Sequence, residues 1–261
     1  MSNPSEPNDP VASITVSIVS HKHGQQVEML VKQVLADPLI SRLVLTLNTE
    51  EMLNLPQDDR LLLLQNATPK GFGTNHNQAF THCETPYFCV LNPDIVLRDD
   101  TFTHLLGCLN ETRAAVAGPL VLSPLGEQED SWRRFPTIFS LVLKALGHDM
   151  TIMKQADKEF PLFPDWIAGM CMLFDSKHYQ AINGFDESLF LYYEDVDICA
   201  RLWLKNLAVV ASSKAVVVHN AQRASRREWQ HMKWHARSMA KYLRRYSLRM
   251  PKANRHFVAD Q

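Results

Sequence analysis

Ile14-Thr-Val-Ser-Ile-Val19, then Val27-Glu-Met-Leu-Val-Lys-Gln-Val-Leu35, then Leu43-Val-Leu-Thr-Leu47 reads as strand, helix, strand. The outer runs are short and apolar, as strands buried on both faces are, and the middle one places its apolar residues at helical spacing. The alternation continues outward. Leu61 to Leu64, Tyr87 to Leu91 and Ala114 to Gly118 read as further buried strands. Thr74 to Cys83, after a glycine pair, and Thr101 to Leu109, after the candidate caps Asp99 and Asp100, read as helices. This largely βαβα order predicts an α/β fold: a mostly parallel sheet flanked by helices, with ligands beyond the carboxyl ends of its strands.

The 261 residues suffice for one substantial core. They divide into a polar, proline-punctuated leader over 1–12, expected to be disordered, one domain over 13–222, and a basic tail over 223–261. With 27 Lys plus Arg against 28 Asp plus Glu the formal charge is −1, so nothing global points to nucleic acid. Five cysteines (Cys83, Cys89, Cys108, Cys171, Cys199), odd in number and without CxxC spacing, argue for a reducing compartment rather than a disulfide framework. The start lacks an apolar signal core and no later run is long enough to span a membrane, which predicts a cytoplasmic protein.

The tail needs its own explanation, since from Arg223 to Arg255 the single acid is Glu228. Trp229, Met232, Ala236, Met239, Leu243 and Tyr246 recur at three- and four-residue spacing, with Lys233, Arg237, Lys241, Arg244 and Arg245 off the stripe. Two readings of this amphipathic helix stand: packing on the domain with a solvated basic face, or peripheral attachment to an anionic membrane surface. The stretch from Ser123 to Asp165, with four prolines, reads as an excursion from the sheet that shapes an acceptor site.

Candidate chemistry lies in four places. Lys70-Gly71-Phe72-Gly73-Thr74-Asn75-His76-Asn77 follows a strand and opens a helix. It lacks the third small residue of a dinucleotide fingerprint, so it is either a tight turn or a loop whose amides approach a ligand, with Asn77 orienting a polar group. Asn92-Pro93-Asp94 ends a strand, where one carboxylate can bind a divalent ion that also holds diphosphate oxygens, or forms an ordinary turn. His219 ends the apolar run Ala215 to Val218 and is either a ligand or a core histidine. Finally, Trp166, Gly169 and Glu194-Asp195-Val196-Asp197 place carboxylates at a helix start. There the macrodipole favours an ionised base, although first-turn acids are also common decoration.

Taken in order, from Thr15 to Ser238, these segments resemble the family 2 inverting glycosyltransferases of the GT-A fold, especially bacterial rhamnosyltransferases. The residues that carry the likeness are Ser20-His21, Gly71-Phe72-Gly73 with Asn77, Asn92-Pro93-Asp94, Arg133-Arg134-Phe135-Pro136, Trp166 with Gly169, Gly184-Phe185-Asp186-Glu187, Glu194 to Asp197 with Arg201, and His219 with Ser225. The resemblance implies a Rossmann-like GT-A sheet and a metal-dependent transfer of a sugar, rhamnose by the likeness, from a nucleotide-sugar donor. The acceptor would be a glycan or lipid-linked glycan in bacterial surface polysaccharide synthesis, at the inner face of the plasma membrane. It implies Mg2+ or Mn2+ on Asp94 and His219, and Asp195 as catalytic base. Glu194, Trp166 and Gly169 then shape the acceptor side, with Ser20, Gly71, Gly73, Asn77, Asn92 and Asp94 on the donor.

Two departures bear on the donor. The second strand of the family usually ends in Asp-Asn, the acid reading the pyrimidine; here it ends Thr46-Leu47-Asn48. Either Asp58 or Asp59 reads the base or base selectivity is relaxed, and the opening strand runs on into His21-Lys22-His23 where Tyr-Asn is usual. The alternative reading is therefore a catalytically inactive nucleotide-sugar-binding or scaffold protein of the same fold.

Overall fold

The computed structural model describes residues 13–153, 161–220, 229–247 and 249–253. The expected leader, the whole of 221–228 including Ser225, and the last residues of the tail lie outside these. The amino-terminal half alternates as its apolar runs require: β1 (Ile14–Ser20), α1 (Gln25–Ala36), β2 (Ile40–Leu47), β3 (Leu61–Gln65), α2 (Phe72–Phe80) and β4 (Tyr87–Leu91). Then come β5 (Ile95–Leu97), α3 (Thr101–Thr112), β6 (Val116–Leu122), β7 (Trp132–Arg133), α4 (Ile138–Ala145), β8 (Trp166–Ile167) and β9 (Cys171–Asp175). The chain closes with α5 (Ser176–Ala181), α6 (Glu194–Leu204), β10 (Val209–His219) and α7 (Trp229–Tyr246).

The main sheet has the order β3-β2-β1-β4-β9-β6-β10-β5. Its first four strands and β6 and β10 run one way, while β9 and the edge strand β5 run against them. Burial explains the pattern, because β1 and β2 have no exposed side chain except Ser41 and pack beneath Val27, Leu30, Val31 and Val34 of α1. The reversed strand β9 is what builds the site. Its register with β4, Leu91 opposite Cys171, sets the residues before β9 against the carboxyl edge of β4, and the amide of Asn92 donates to the Met170 carbonyl.

Local details correct the sequence reading. Asp100 precedes α3 in the left-handed region (φ 59°) and its side chain makes no capping hydrogen bond, so neither Asp99 nor Asp100 caps as expected. Thr101 holds that turn instead, donating from Oγ1 to the carbonyls of Arg98 and Val216. α2 begins at Phe72, two residues before the expected Thr74. On α7, Ser238, Tyr242 and Tyr246 are buried, with Met239 and Leu243 packed against the core, while Trp229 and Met232 at its start face solvent. Among the described residues no helix is long and apolar enough to cross a membrane.

Candidate active site

Asp94 stands three residues past the end of β4, in the turn that Pro93 stiffens before β5. β10 ends at His219, paired with Ile95, so the imidazole is delivered to the same turn: Nε2 lies 3.2 Å from Asp94 Oδ2. On its other side Nδ1 donates to Glu129 Oε2 at 2.6 Å, which fixes the ring with Nε2 toward Asp94. Burial opposes charge on this histidine, but its hydrogen bonds to the Asp94 and Glu129 carboxylates outweigh it and raise its pKa. Burial likewise pushes Asp94 up, and the His219 hydrogen bond and charge bring it below its usual value. His23, in the turn after β1, feels the charge of Asp94, though burial still lowers its pKa.

This set fits a divalent cation held partly by substrate. Asp94 Oδ1 is buried with no hydrogen-bond partner among the described residues, and beside it stands one imidazole nitrogen. No three His, Cys, Asp or Glu among the described residues gather into a closed cage. A hard ion with one carboxylate and one imidazole would fill its other positions with diphosphate oxygens and water.

The carboxylates of α6 face the same edge. The Gly169 amide, one residue before the Met170 that bonds Asn92, donates to Asp195 Oδ2 at 3.0 Å, and the Val196 amide donates to Oδ1 at 2.8 Å. A Cβ at Gly169 would lie 3.4 Å from Asp195 Cβ, so glycine lets the turn close onto the carboxylate. Tyr192 and Tyr193 precede α6 with φ of 70° and 66°, consecutive left-handed conformations that aim the helix start into the site. The macrodipole does not govern these acids as expected. Burial dominates and raises both: Asp195, backed by two amides, rises less far than Glu194, whose Oε2 is buried without a hydrogen-bond partner. Glu194 therefore keeps its proton to higher pH and Asp195 is the carboxylate that ionises first.

A cavity of about 690 Å³ opens above this pair. Trp166, Arg134, Lys144, Tyr192, His231 and His235 stand around it. Trp166 is held by donation from Nε1 to the Arg134 carbonyl, and Arg133 beneath is clamped by Asp130, Asp149 and Thr151. The excursion after β6 thus supplies one wall, and Glu129 ties that wall to His219.

Several expected donor residues are also engaged by the fold itself. A Cβ at Gly71 would sit 2.7 Å from the Phe190 carbonyl oxygen, and one at Gly73 would sit 2.7 Å from Phe185 Cβ, so protein packing alone already requires glycine at both positions. Asn77 is saturated internally: it donates to the Phe185 carbonyl and Glu187, and accepts from the Phe185 amide and the Tyr179 hydroxyl. Ser20 is buried at the end of β1, its Oγ accepting the His23 amide. Asp58 and Asp59 precede β3 and therefore lie at the opposite edge of the sheet from Asp94; Asp58 is engaged by Arg60, which holds its pKa down to about 2. Leu47 is core, and Asn48 behind it joins Asn66, Asn75 and Lys70 in a closed polar network. Sequence reasoning missed Glu129, His23, His231 and His235. Of these only His23 carried a local signal, three residues past a strand end at the carboxyl edge.

Solved structures with this architecture are glycosyltransferases of the GT-A fold. GalNAc-T7 with UDP, GalNAc and Mn2+ superposes with a TM-score of 0.66 at 12 % identity, over 91 % of this chain and 48 % of that one. A mannosyltransferase of Pyrobaculum calidifontis with GDP-Man and Mn2+ gives 0.59 at 13 %, over 92 % of this chain and 65 % of that one. Residues 46–178, half of the chain, match glycosyl transferase family 2, and 152–224 match the N-terminal domain of galactosyltransferase. The chain belongs to glycosyl transferase family 2 and is rhamnosyltransferase-like, a glycosyltransferase of glycan synthesis. It is 25 % identical to rhamnosyltransferase WbbL of Escherichia coli K12 over 89 % of its own length and 93 % of that protein. It is 30 % identical to the N-acetylglucosaminyl-diphospho-decaprenol L-rhamnosyltransferase of Mycobacterium tuberculosis over 57 % of its length, spanning about half of that relative.

Proposed function

We propose that the protein is an inverting glycosyltransferase that moves rhamnose from a nucleotide diphosphate donor to a glycan acceptor, a lipid-linked sugar of bacterial surface polysaccharide synthesis. The observation that carries this reading is the carboxylate of Asp195, held by the Gly169 and Val196 amides on the floor of an open cavity, on the same sheet edge as Asp94 and His219. The rhamnosyltransferase relatives supply the sugar, and the M. tuberculosis relative supplies the acceptor class.

The chemistry follows from the two acid centres. Asp94 and His219 would hold Mg2+ or Mn2+, which when bound neutralises charge growing on the leaving diphosphate. Across the sugar, Asp195 takes the proton of the acceptor hydroxyl. The acceptor oxygen bonds to the anomeric carbon as the carbon–diphosphate bond breaks, its electron pair leaving with the diphosphate. Attack opposite the leaving group inverts the centre. Glu194 stands beside the base on the acceptor side of the cavity, and Trp166 supplies a flat face for a sugar ring, with Gly169 closing the turn beneath.

Transfer and donor hydrolysis by the parent and by Asp195→Asn, with Mn2+ present and nucleotide rhamnose as donor, test the reading. The variant should bind donor as the parent does and lose about a hundredfold or more in turnover, the range for a lost general base. Near-parent turnover moves the base elsewhere. Donor binding without nucleotide release by the parent would instead make it a nucleotide-sugar-binding scaffold.

A further inference from the structure

Helix α4 is well formed yet turns its apolar side away from the protein. Thr137 and Ser140 close a capping box at its start, and no residue of the helix is buried. Ile138, Phe139, Val142 and Leu146 are 60, 70, 54 and 70 % exposed. Residues 138, 142 and 146 follow one another by a turn with 139 beside them, so the four share one arc. Ser140, Leu141 and Lys144, on the opposite side, line the cavity above Asp195. Across that cavity Met232 stands at the start of α7, exposed like Trp229 one turn before it. An unpartnered apolar surface at the mouth of a site marks an interaction face.

Its surroundings say what covers it. Residues 134–148 carry Arg134, Lys144 and His148, with Lys144 paired to Asp149 just beyond, and the described part of α7 carries Lys233, Arg237, Lys241 and Arg244 besides Arg245, which is bound to Asp186 and Asp197. Two elements of one charge sign repel a second copy of the same face, whereas an apolar arc framed by cations matches the headgroup boundary of an anionic bilayer. We propose that the apolar face of α4, with the first turn of α7 beside it, docks on an anionic phospholipid membrane so that the acceptor cavity opens at the lipid surface. The inference rests on the reading of that cavity as the acceptor side, and it assigns the apolar anchor to α4 rather than to the tail, whose stripe packs on the core at Met239, Leu243 and Tyr246.

Co-sedimentation of the full chain with phosphatidylglycerol/phosphatidylethanolamine vesicles and with phosphatidylcholine vesicles tests it. The parent should partition onto the anionic vesicles and be released by salt. Phe139→Ser with Val142→Ser should melt like the parent and lose about tenfold or more in partitioning; Lys233→Gln with Arg237→Gln should lose about tenfold at low salt. The proposal falls if the parent binds neither vesicle, if it binds both equally, or if the α4 variant binds like the parent. It also falls if the variant abolishes a self-association of the parent seen in sedimentation, because a second copy then covers the face. Vesicle binding needs no turnover, so its failure leaves glycosyl transfer standing, and nucleotide release measured separately reports on transfer alone.

Discussion

Glu194 and Asp195 are adjacent acids separated by their hydrogen bonds rather than by their type. Asp195 accepts two backbone amides, while Glu194 has a buried oxygen without a partner, and burial raises its pKa well above 4.5. A carboxyl whose folded pKa exceeds its unfolded one contributes stability that is full below the unfolded value and is lost as pH rises through the folded one. Glu194→Gln cannot titrate. Its melting temperature relative to the parent is therefore expected to climb as pH rises above the ordinary carboxylate range, and a constant difference there would show that Glu194 ionises normally. Glu129 acts at one remove, through the ring of His219. Glu129→Gln leaves a weaker acceptor on Nδ1, so Mn2+ affinity, read by calorimetric titration without substrate, should fall about tenfold to a hundredfold. An unchanged affinity would remove His219 from the ion's ligands.

Among the elements, α6 and α7 are joined by one buried acid. Asp197, 1 % exposed, accepts from Arg201 of its own helix and from Arg245 and Tyr246 of α7, while Arg245 also grips Asp186, whose pKa stands at about 2. Arg245→Met withdraws two charged hydrogen bonds. The expected loss is about 2 kcal/mol, a fall of roughly 5 °C in melting temperature, read by calorimetry; parent-like melting would mean that α7 is held by its apolar residues alone. The helix from Trp229 to Tyr246 was legible, but not that the start of its stripe, Trp229 and Met232, faces solvent, nor that Arg245, expected off the stripe, pairs with Asp186 and Asp197 far away in the chain. The strands and helices of the first half were legible for the opposite reason, since each buries a local apolar pattern. What packs on the glycine loop was illegible for a similar cause: Gly71 and Gly73 accommodate Phe190 and Phe185, residues more than a hundred positions away.

At the scale of the whole molecule, the sheet edge separates two tasks. Asp94 and His219 come from β4 and β10, whereas the wall of the cavity comes from the excursion between β6 and β9 and from α7. The order of acidic motifs along the chain made the first centre readable. Of the wall, the proline-rich excursion was legible, but not that Arg134, Lys144, His231 and His235 meet there, because they come together only after it folds back and no spacing announces it. This division has a consequence for a diphosphate-linked acceptor. Arg134 and Lys144 are exposed cations at the cavity mouth; Lys144 shares Asp149 with Arg133 at 3.1 Å, and replacing the two leaves Arg133 its bonds to Asp130, Asp149 and Thr151. Each charge-assisted hydrogen bond to phosphate contributes about 1.5–3 kcal/mol. Arg134→Gln with Lys144→Gln should therefore raise the acceptor KM by about tenfold or more, with donor hydrolysis and metal affinity unchanged. Steady-state rates at varied acceptor concentration, set beside nucleotide release without acceptor, make the separation. A parallel loss of donor hydrolysis would place these cations on the donor, and an unchanged acceptor KM would send the acceptor diphosphate to another part of the rim.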